Sequence, residues 1–440
     1  MVGTTHFVNA LVRRRDLAST GMIRICLPSG ASIPPFSDWP QELVTGLGGR
    51  YRMIHGGYEM DGREISALNE DELLQAVREL QAEGAQEIAL SSVFSTVRSD
   101  MEQQAFDIIA KAFPQQSVTK STDIGRLGLL ERENAAIING ALRPLAADVV
   151  ESFLALAQEL DLKCPLYFTK NDGTLISADQ VSRLPVLTFA CGPTNSMRGA
   201  AFLSGIKDGL VADVGGTTLD VGEVQNGFPR PAGTAVSVAD VQTNFSMPDV
   251  ISIGLGGGSI IDREAVTVGP DSVGHRLLEE ALVFGGSVLT ASDIAVAAGR
   301  TQMGVQAPPD MPDLDTLVAA MDQKAADAIA RSRTSSKSMT VIAVGGGAVL
   351  LPETLDGLPV LRPPHYDLAN AIGAAIAQVS GEDSKVIALA EGMTREEAIQ
   401  SVVDAAKAAA VANGADPETL LVLSQSDVPL AYLPGSNLAI

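Results

Sequence analysis

The stretch that most constrains this chain is Leu210-Val211-Ala212-Asp213-Val214-Gly215-Gly216-Thr217-Thr218-Leu219-Asp220-Val221-Gly222. Two short β-type runs, Val211 to Val214 and Leu219 to Val221, flank a Gly-Gly-Thr-Thr tip, and this predicts a tight hairpin. Gly215 and Gly216 carry no Cβ, so backbone N–H groups can approach an anion closely, and the hydroxyls of Thr217 and Thr218 can donate to the same oxygens. Such a tip is a phosphate cradle. A P-loop would need a Lys after the glycines, and a dinucleotide fingerprint would need a helix opening at the third glycine; neither pattern is present. Asp213 and Asp220 bracket the tip, and two carboxylates beside a polyphosphate suit hydrated Mg²⁺, which keeps several of its waters. The competing interpretation is an ordinary Gly-Gly hairpin with solvated aspartates.

The rest of the chain bounds the fold around that hairpin. Its 440 residues are enough for two or three domains with substantial cores. A hydrophobic content of 46% with only 4% aromatic residues fits a large α/β protein whose small side chains let helices lie close to sheets. No run of about 18 apolar residues occurs, and Arg13-Arg14-Arg15 is not followed by a signal-type apolar core, so a soluble, cytoplasmic protein is expected. A net charge of −22 argues against nucleic acid and anionic membrane as partners, because both are polyanions. Cys26, Cys164 and Cys191 are widely spaced and read as buried thiols rather than as a zinc site or a disulfide framework.

Helix and strand alternate along the first half. An apolar helical pattern is already running by Phe7, and Pro28 to Pro40 reads as an irregular loop around Trp39. Asn69 caps a helix ending at Gly84, Ile88 to Phe94 is a buried strand, and a helix follows from about Asp100 to Phe113. A helix beginning near Leu129 carries Glu131-Arg132-Glu133-Asn134, which on its own reads as a solvated cluster of ion pairs. Cys164 to Ile176 reads as two strands joined by an Asn171-Asp172-Gly173-Thr174 turn. Val186 to Ala190 reads as a strand leading into a Cys191-to-Ser196 loop, with a helix from Met197; that loop and the hairpin could face one cleft.

Two further glycine-rich devices follow. Gly254-Leu255-Gly256-Gly257-Gly258-Ser259 closes an apolar strand, and such a run is justified where a ligand or a domain approaches closely. Val341 to Val344 runs directly into Gly345, Gly346 and Gly347, an edge that can pass flat against a planar ring or a sugar. Between and after them come a helix over Asp293 to Arg300 capped by Ser292, a Pro-rich linker at Ala307 to Pro312, and a helix from Leu314 to Arg331. An Ala-rich helix over Ala369 to Val379, a helix capped by Thr394 and Glu397, and strands in Thr419 to Leu433 complete the chain.

The hairpin at Asp213 and the triple glycine at Gly345 resemble the second phosphate motif and the adenosine motif of the actin-like ATPases. Taken with Gly3 to Ala10, Gly128 to Ala135, Asn171 to Thr174, Gly192 to Ser196 and Gly254 to Ser259, they resemble, in order, the A subunit of the hydantoinase/5-oxoprolinase family over nearly the whole chain. The resemblance implies an α/β, actin-like (ribonuclease H-like) two-lobed fold, with a first lobe over 1–205 and a second over 206–440. It implies an ATP-dependent enzyme that phosphorylates the carbonyl oxygen of a cyclic amide of the hydantoin or 5-oxoproline type, partnered by a second, B-type subunit and expected to form an oligomer. ATP and Mg²⁺ are the implied cofactors. Gly215, Gly216, Thr217 and Thr218 would hold phosphates, Asp213 or Asp220 would orient the metal ion, and Gly256, Gly257, Gly258 and Gly345 to Gly347 would border the nucleotide. Glu131, Glu133, Asn134 and Asn171 become candidates for the substrate side. Family members open with a further Asp-Gly-Gly-Thr hairpin before the Gly-Thr-Thr-His block, so the first lobe reads as incomplete at its N-terminus; as a second departure, Ser246 stands where an Arg is expected, a change that bears on substrate or interface contacts. A ketone carboxylase subunit and a non-catalytic actin-like scaffold are the alternatives.

Overall fold

A computed structural model describes residues 1–125, 127–233, 235–306, 310–335, 339–389, 393–430 and 436–440. Its first lobe is built on four parallel strands in the order Arg50–His55, Thr20–Leu27, Glu87–Ser92, Ser117–Lys120. Alternation along Thr20–Leu27 sends Ile23 and Ile25 to one face, where they pack with Leu73, Val77 and Leu80 of the helix Glu70–Ala82. Met22 goes to the other face and joins Ile137, Ile138 and Leu142 of the helix Leu129–Glu159. Helices thus cover both faces of a parallel sheet, as the alternating pattern requires. The side chain of Asn69 accepts from the Glu72 N–H and caps the helix Glu70–Ala82.

The second lobe is centred on the strand Gly209–Val214. It pairs antiparallel with Leu219–Gln225 and parallel with Val341–Val344, inside a seven-stranded sheet. Leu210, Ala212 and Val214 face the helix Leu314–Ser332, through Leu317, Met321 and Ala325. Val211 faces the opposite side, where Met197 and Ala200 of the helix Cys191–Ser204 meet Ala369 of the helix Ala369–Ala375. These last two helices touch backbone to backbone. A Cβ on Gly199 would stand 1.9 Å from the Ala369 carbonyl oxygen, and one on Gly373 would stand 1.8 Å from that of Asn195.

Several local expectations are corrected. Val186 to Ala190 is not a strand: Pro185–Thr188 forms a 3₁₀ turn, since Pro185 fixes its φ and donates no N–H to a ladder. The helix then starts at Cys191 rather than Met197, so that Pro193 sits in the first turn, where a missing N–H costs least. Thr290, not Ser292, caps the helix Ala291–Ala297, in a capping box with Asp293. Within Thr419 to Leu433 only Val428–Pro429 forms a strand among the described residues; 431–433 lie outside them, as do 307–309 of the Pro-rich linker. Cys164 is exposed, whereas Cys26 and Cys191 are buried.

The largest departure concerns Glu131 to Asn134. Glu133 is fully buried and forms a two-pronged ion pair with Arg24, at 2.6 and 2.7 Å, across the interface between the sheet and the helix Leu129–Glu159. Arg24 also donates to the Ile33 carbonyl, which pins the irregular Pro28-to-Pro40 loop. Leaving one charge of such a pair unpaired in the interior is costly. Glu133→Ala is expected to lower the unfolding free energy by about 3–5 kcal/mol in urea denaturation, and Arg24→Met with Glu133→Leu to cost less than either single change.

Candidate functional site

The hairpin forms as its sequence predicts. Asp213 pairs with Asp220 and Val214 with Leu219, and the Gly215 N–H donates to the Thr218 carbonyl at 2.9 Å to close the tip. Because Asp213 and Asp220 stand directly opposite each other in the ladder, their carboxylates share one face of the sheet. Burial raises the pKa of both above the usual carboxylate range. A hydrogen bond from Ser196 opposes the shift at Asp213; at Asp220 a bond from Ser252 opposes it, while the neighbouring Asp213 charge adds to it. Neither carboxylate has a basic partner among the described residues. Asn370 donates through Nδ2 to the Ser196 oxygen at 3.2 Å and to the Gly192 carbonyl at 2.9 Å, leaving the Ser196 proton free to face Asp213. Ser196 closes the Gly192-to-Ser196 block, whereas Ser252 and Asn370 were not singled out by the sequence, because single hydroxyls and amides on helices and strands carry no pattern.

The glycines sort into two kinds. A Cβ on Gly216 or Gly346 would meet nothing within 4 Å, so both positions face open space. A Cβ on Gly256 would stand 2.5 to 2.8 Å from backbone atoms of Gly215, Gly216 and Thr217. The N–H groups of Gly257 and Gly258 donate to the carbonyls of Gly215 and Gly216, at 3.0 and 2.7 Å. The close approach inferred for Gly254 to Ser259 is therefore made by the hairpin tip itself. Gly345, at φ +83°, lies where a Cβ would stand 2.4 Å from Asp213 Oδ1, and the Gly347 N–H donates to the Val214 carbonyl. Both glycine-rich turns thus press on the hairpin, and Gly216 and Gly346 are the positions left open beside it.

The tip peptides are trans, so each N–H points opposite to its preceding carbonyl. With the Gly215 and Gly216 carbonyls held by the Gly254–Ser259 turn, the N–H groups of Gly216 and Thr217 are turned to the opposite, open side. Two adjacent N–H donors with the Thr217 and Thr218 hydroxyls form a donor set of the kind that suits an anion, and two uncompensated carboxylates next to it are of the kind that suits a hydrated divalent cation.

Two of the other blocks converge on the helix that carries Ser196. Val2 pairs with Phe168, and the Thr4 N–H donates to Cys191 Sγ at 3.1 Å, which places Gly3-Thr4-Thr5 at the start of the helix Cys191–Ser204. Asn171 is buried; its Nδ2 donates to the Val186 carbonyl and its Oδ1 accepts from the Ala190 N–H. Thr194 donates to the Asn171 carbonyl. Asn134 accepts from Trp39 Nε1 at 2.8 Å and donates to the Gln242 carbonyl at 2.9 Å. The polar groups of Asn134 and Asn171, like those of Glu133, are thus engaged with the protein. Glu131 is half-buried, with its carboxylate folded over Gly128.

A glycine-tipped hairpin on a central strand, flanked by two glycine-rich turns in a two-lobed α/β molecule, is the arrangement of an actin-like fold. The same architecture is found in the ATP-dependent caprolactamase of Pseudomonas jessenii, with a TM-score of 0.70 at 17% identity over 99% of this chain and 71% of that one. Nucleotide-free acetone carboxylase gives 0.63 at 18% identity, over 94% and 68%. The sequence profile described as Hydantoinase/oxoprolinase matches residues 132–307, and that of the Hydantoinase/oxoprolinase N-terminal region matches residues 1–113. The chain belongs to the hydantoinase/oxoprolinase family. It is 25% identical over 255 residues to the caprolactamase subunit alpha of P. jessenii, covering 56% of this chain and 36% of that protein. It is 26% identical over 255 residues to the acetophenone carboxylase gamma subunit of Aromatoleum aromaticum, covering 55% and 34%. The chain matches about a third of the length of these curated relatives.

Two outcomes follow from this geometry. Gly216→Ala is expected to leave the melting temperature unchanged and to weaken phosphate binding, whereas Gly256→Ala drives the tip out of place and lowers the melting temperature itself. Because burial holds the Asp213 and Asp220 protons more tightly in the folded state than in the unfolded one, stability falls as pH rises from about 4 through their raised folded values. Asp213→Asn and Asp220→Asn should therefore melt above the parent protein at pH 7, and calorimetry should show that advantage vanish near pH 4.

Proposed function

We propose that the chain is the nucleotide-binding part of an ATP-dependent enzyme that opens a cyclic amide of the hydantoin or 5-oxoproline type by phosphorylating its carbonyl oxygen. The observation that carries this reading is the hairpin tip: two outward N–H donors and two hydroxyls beside a pair of half-buried carboxylates without a basic partner. The N–H groups of Gly216 and Thr217, with the hydroxyls of Thr217 and Thr218, would hold the phosphate oxygens. Asp213, steadied by Ser196 and Asn370, would orient hydrated Mg²⁺ through its waters, with Asp220 completing the negative field. Bound Mg²⁺ would supply charge neutralisation at the phosphates. The open Gly346 edge would lie against the nucleoside. Catalysis would then rest on positioning and electrostatics, with the amide oxygen displacing ADP from the γ-phosphorus. Water would add to the activated carbon, the ring C–N bond would open as a proton passes to the departing nitrogen, leaving an acyl phosphate, and a second water attacking the acyl carbon would release phosphate with the former carbonyl oxygen.

A relative named as a caprolactamase subunit supports the cyclic-amide reading. Relatives named as subunits of acetophenone and acetone carboxylases support a second reading, in which the phosphorylated oxygen belongs to a ketone. All three are named as subunits, which supports a partner subunit for this chain.

The test is release of ADP and phosphate from Mg-ATP by the chain together with its partner subunit, in the presence of hydantoin, 5-oxoproline, caprolactam, or acetophenone with bicarbonate. A cyclic amide labelled with ¹⁸O at the carbonyl should deliver its label to inorganic phosphate. Stimulation by the ketone alone would select the carboxylase reading, and no stimulation by any of them would remove both. Asp213→Asn should lower turnover by about 100-fold or more, the scale on which a preorganised electrostatic group acts.

A further inference from the structure

The Gly254–Ser259 turn touches the phosphate hairpin from behind, and its own anchorage is unusual. Lys324, on the helix Leu314–Ser332, is half-buried, and its ammonium donates to the Gly254 carbonyl at 3.0 Å and to the Val268 carbonyl. Among the described residues it has no carboxylate partner. A lysine charge is therefore spent on two backbone carbonyls, one at the end of the strand Val250–Ile253 and one within the strand Thr267–Ser272. From Gly254 the chain passes through the fully buried Leu255 to Gly257, whose carbonyl accepts from both the backbone N–H and the hydroxyl of Ser292, at 3.0 and 2.8 Å. Next come the two N–H groups that grip the Gly215 and Gly216 carbonyls.

We propose that Lys324 is a positioning residue for the phosphate hairpin, acting through the Gly254–Ser259 turn as a strut. The inference rests on the nucleotide reading above. Glycines lend the turn little stiffness of their own, so its orientation depends on what holds its ends. Lys324 fixes the start, and Ser292 fixes the middle. With both in place the tip carbonyls are drawn backward and the Gly216 and Thr217 N–H groups are presented forward. Without the ammonium, the carbonyls of Gly254 and Val268 lose their donor, the turn is free to rotate, and the tip donors lose their common direction. The loss falls on the phosphate part of a nucleotide, because the Gly345–Gly347 edge is anchored separately, through Gly345 N–H to the Tyr366 carbonyl and Gly347 N–H to the Val214 carbonyl.

The experiment measures binding of Mg-ATP and of adenosine to the parent protein, Lys324→Met, Lys324→Arg and Ser292→Ala, with circular dichroism and melting curves confirming that each is folded. Lys324→Met should weaken Mg-ATP by about tenfold to 100-fold, as small misplacements of binding groups do, while leaving adenosine affinity unchanged. Lys324→Arg, which can still donate to both carbonyls, should recover most of the loss. Should Lys324→Met not fold, Ser292→Ala carries the test, with a smaller loss of the same phosphate-selective kind. Equal loss for both ligands, or no loss for either in a folded variant, overturns the inference. Failure of the parent protein to bind Mg-ATP at all overturns the nucleotide reading instead.

Discussion

Two amide-to-carbonyl hydrogen bonds, from Gly257 to Gly215 and from Gly258 to Gly216, are the contacts on which the shape of the hairpin tip depends. They require two backbones to meet with no side chain between them, and that requirement accounts for a run of glycines that would otherwise weaken any turn. The same demand recurs at Gly345, whose missing Cβ leaves room for the Asp213 carboxylate. A central strand held from both sides by bare backbone can present its tip in one orientation, with its two acids fixed beside it. What the glycines lose in conformational entropy is offset by preorganisation of the tip.

Much of this was legible in the sequence. The Val211-to-Val214 and Leu219-to-Val221 runs, with their Gly-Gly-Thr-Thr tip, specify a hairpin by turn chemistry alone, and the structure realises it in that register. The Asn69 and Thr394 caps and the alternation of helix and strand were equally local signals. The ordered motifs of the family resemblance, which the sequence profiles match over most of the chain, added what local signals do not hold, namely that the segments belong to one fold. The misread strand has a plain physical cause. Val186 to Ala190 is apolar because it is buried, and burial does not distinguish a strand from a 3₁₀ turn once a proline governs the backbone.

Charge was the least legible quantity. Glu131-Arg132-Glu133-Asn134 has the composition of a solvated helix start, yet Arg132 and Glu133 are buried, because their partners come from other segments: Arg24 from the first strand, Ser92 from the end of the third, and Ser121 from the turn after the fourth. Glu102 is likewise buried and accepts from the N–H groups of Ser92 and Thr122 and from the hydroxyls of Ser121 and Thr122. No periodicity announces a partner about a hundred residues away. The first lobe is therefore organised around a polar interior as well as an apolar one, and that interior determines how the helix Leu129–Glu159 seats on its sheet.

The contact between the helices Cys191–Ser204 and Ala369–Ala375 has a consequence for sequence variation. Gly199 and Gly373 each face a carbonyl oxygen of the opposite helix, and every residue type carries that carbonyl. No exchange on the partner helix can therefore make room for a larger side chain at either position. Gly222 differs, because the nearest atoms in its way are the sulfur and methyl of Met197, at 2.9 and 2.6 Å. A shorter residue at 197 would relieve that collision and leave the Asp249 carbonyl oxygen, at 3.1 Å, as the remaining limit, so a change at 222 calls for one at 197 and a small backbone shift, while 199 and 373 must stay glycine for as long as the two helices remain in contact.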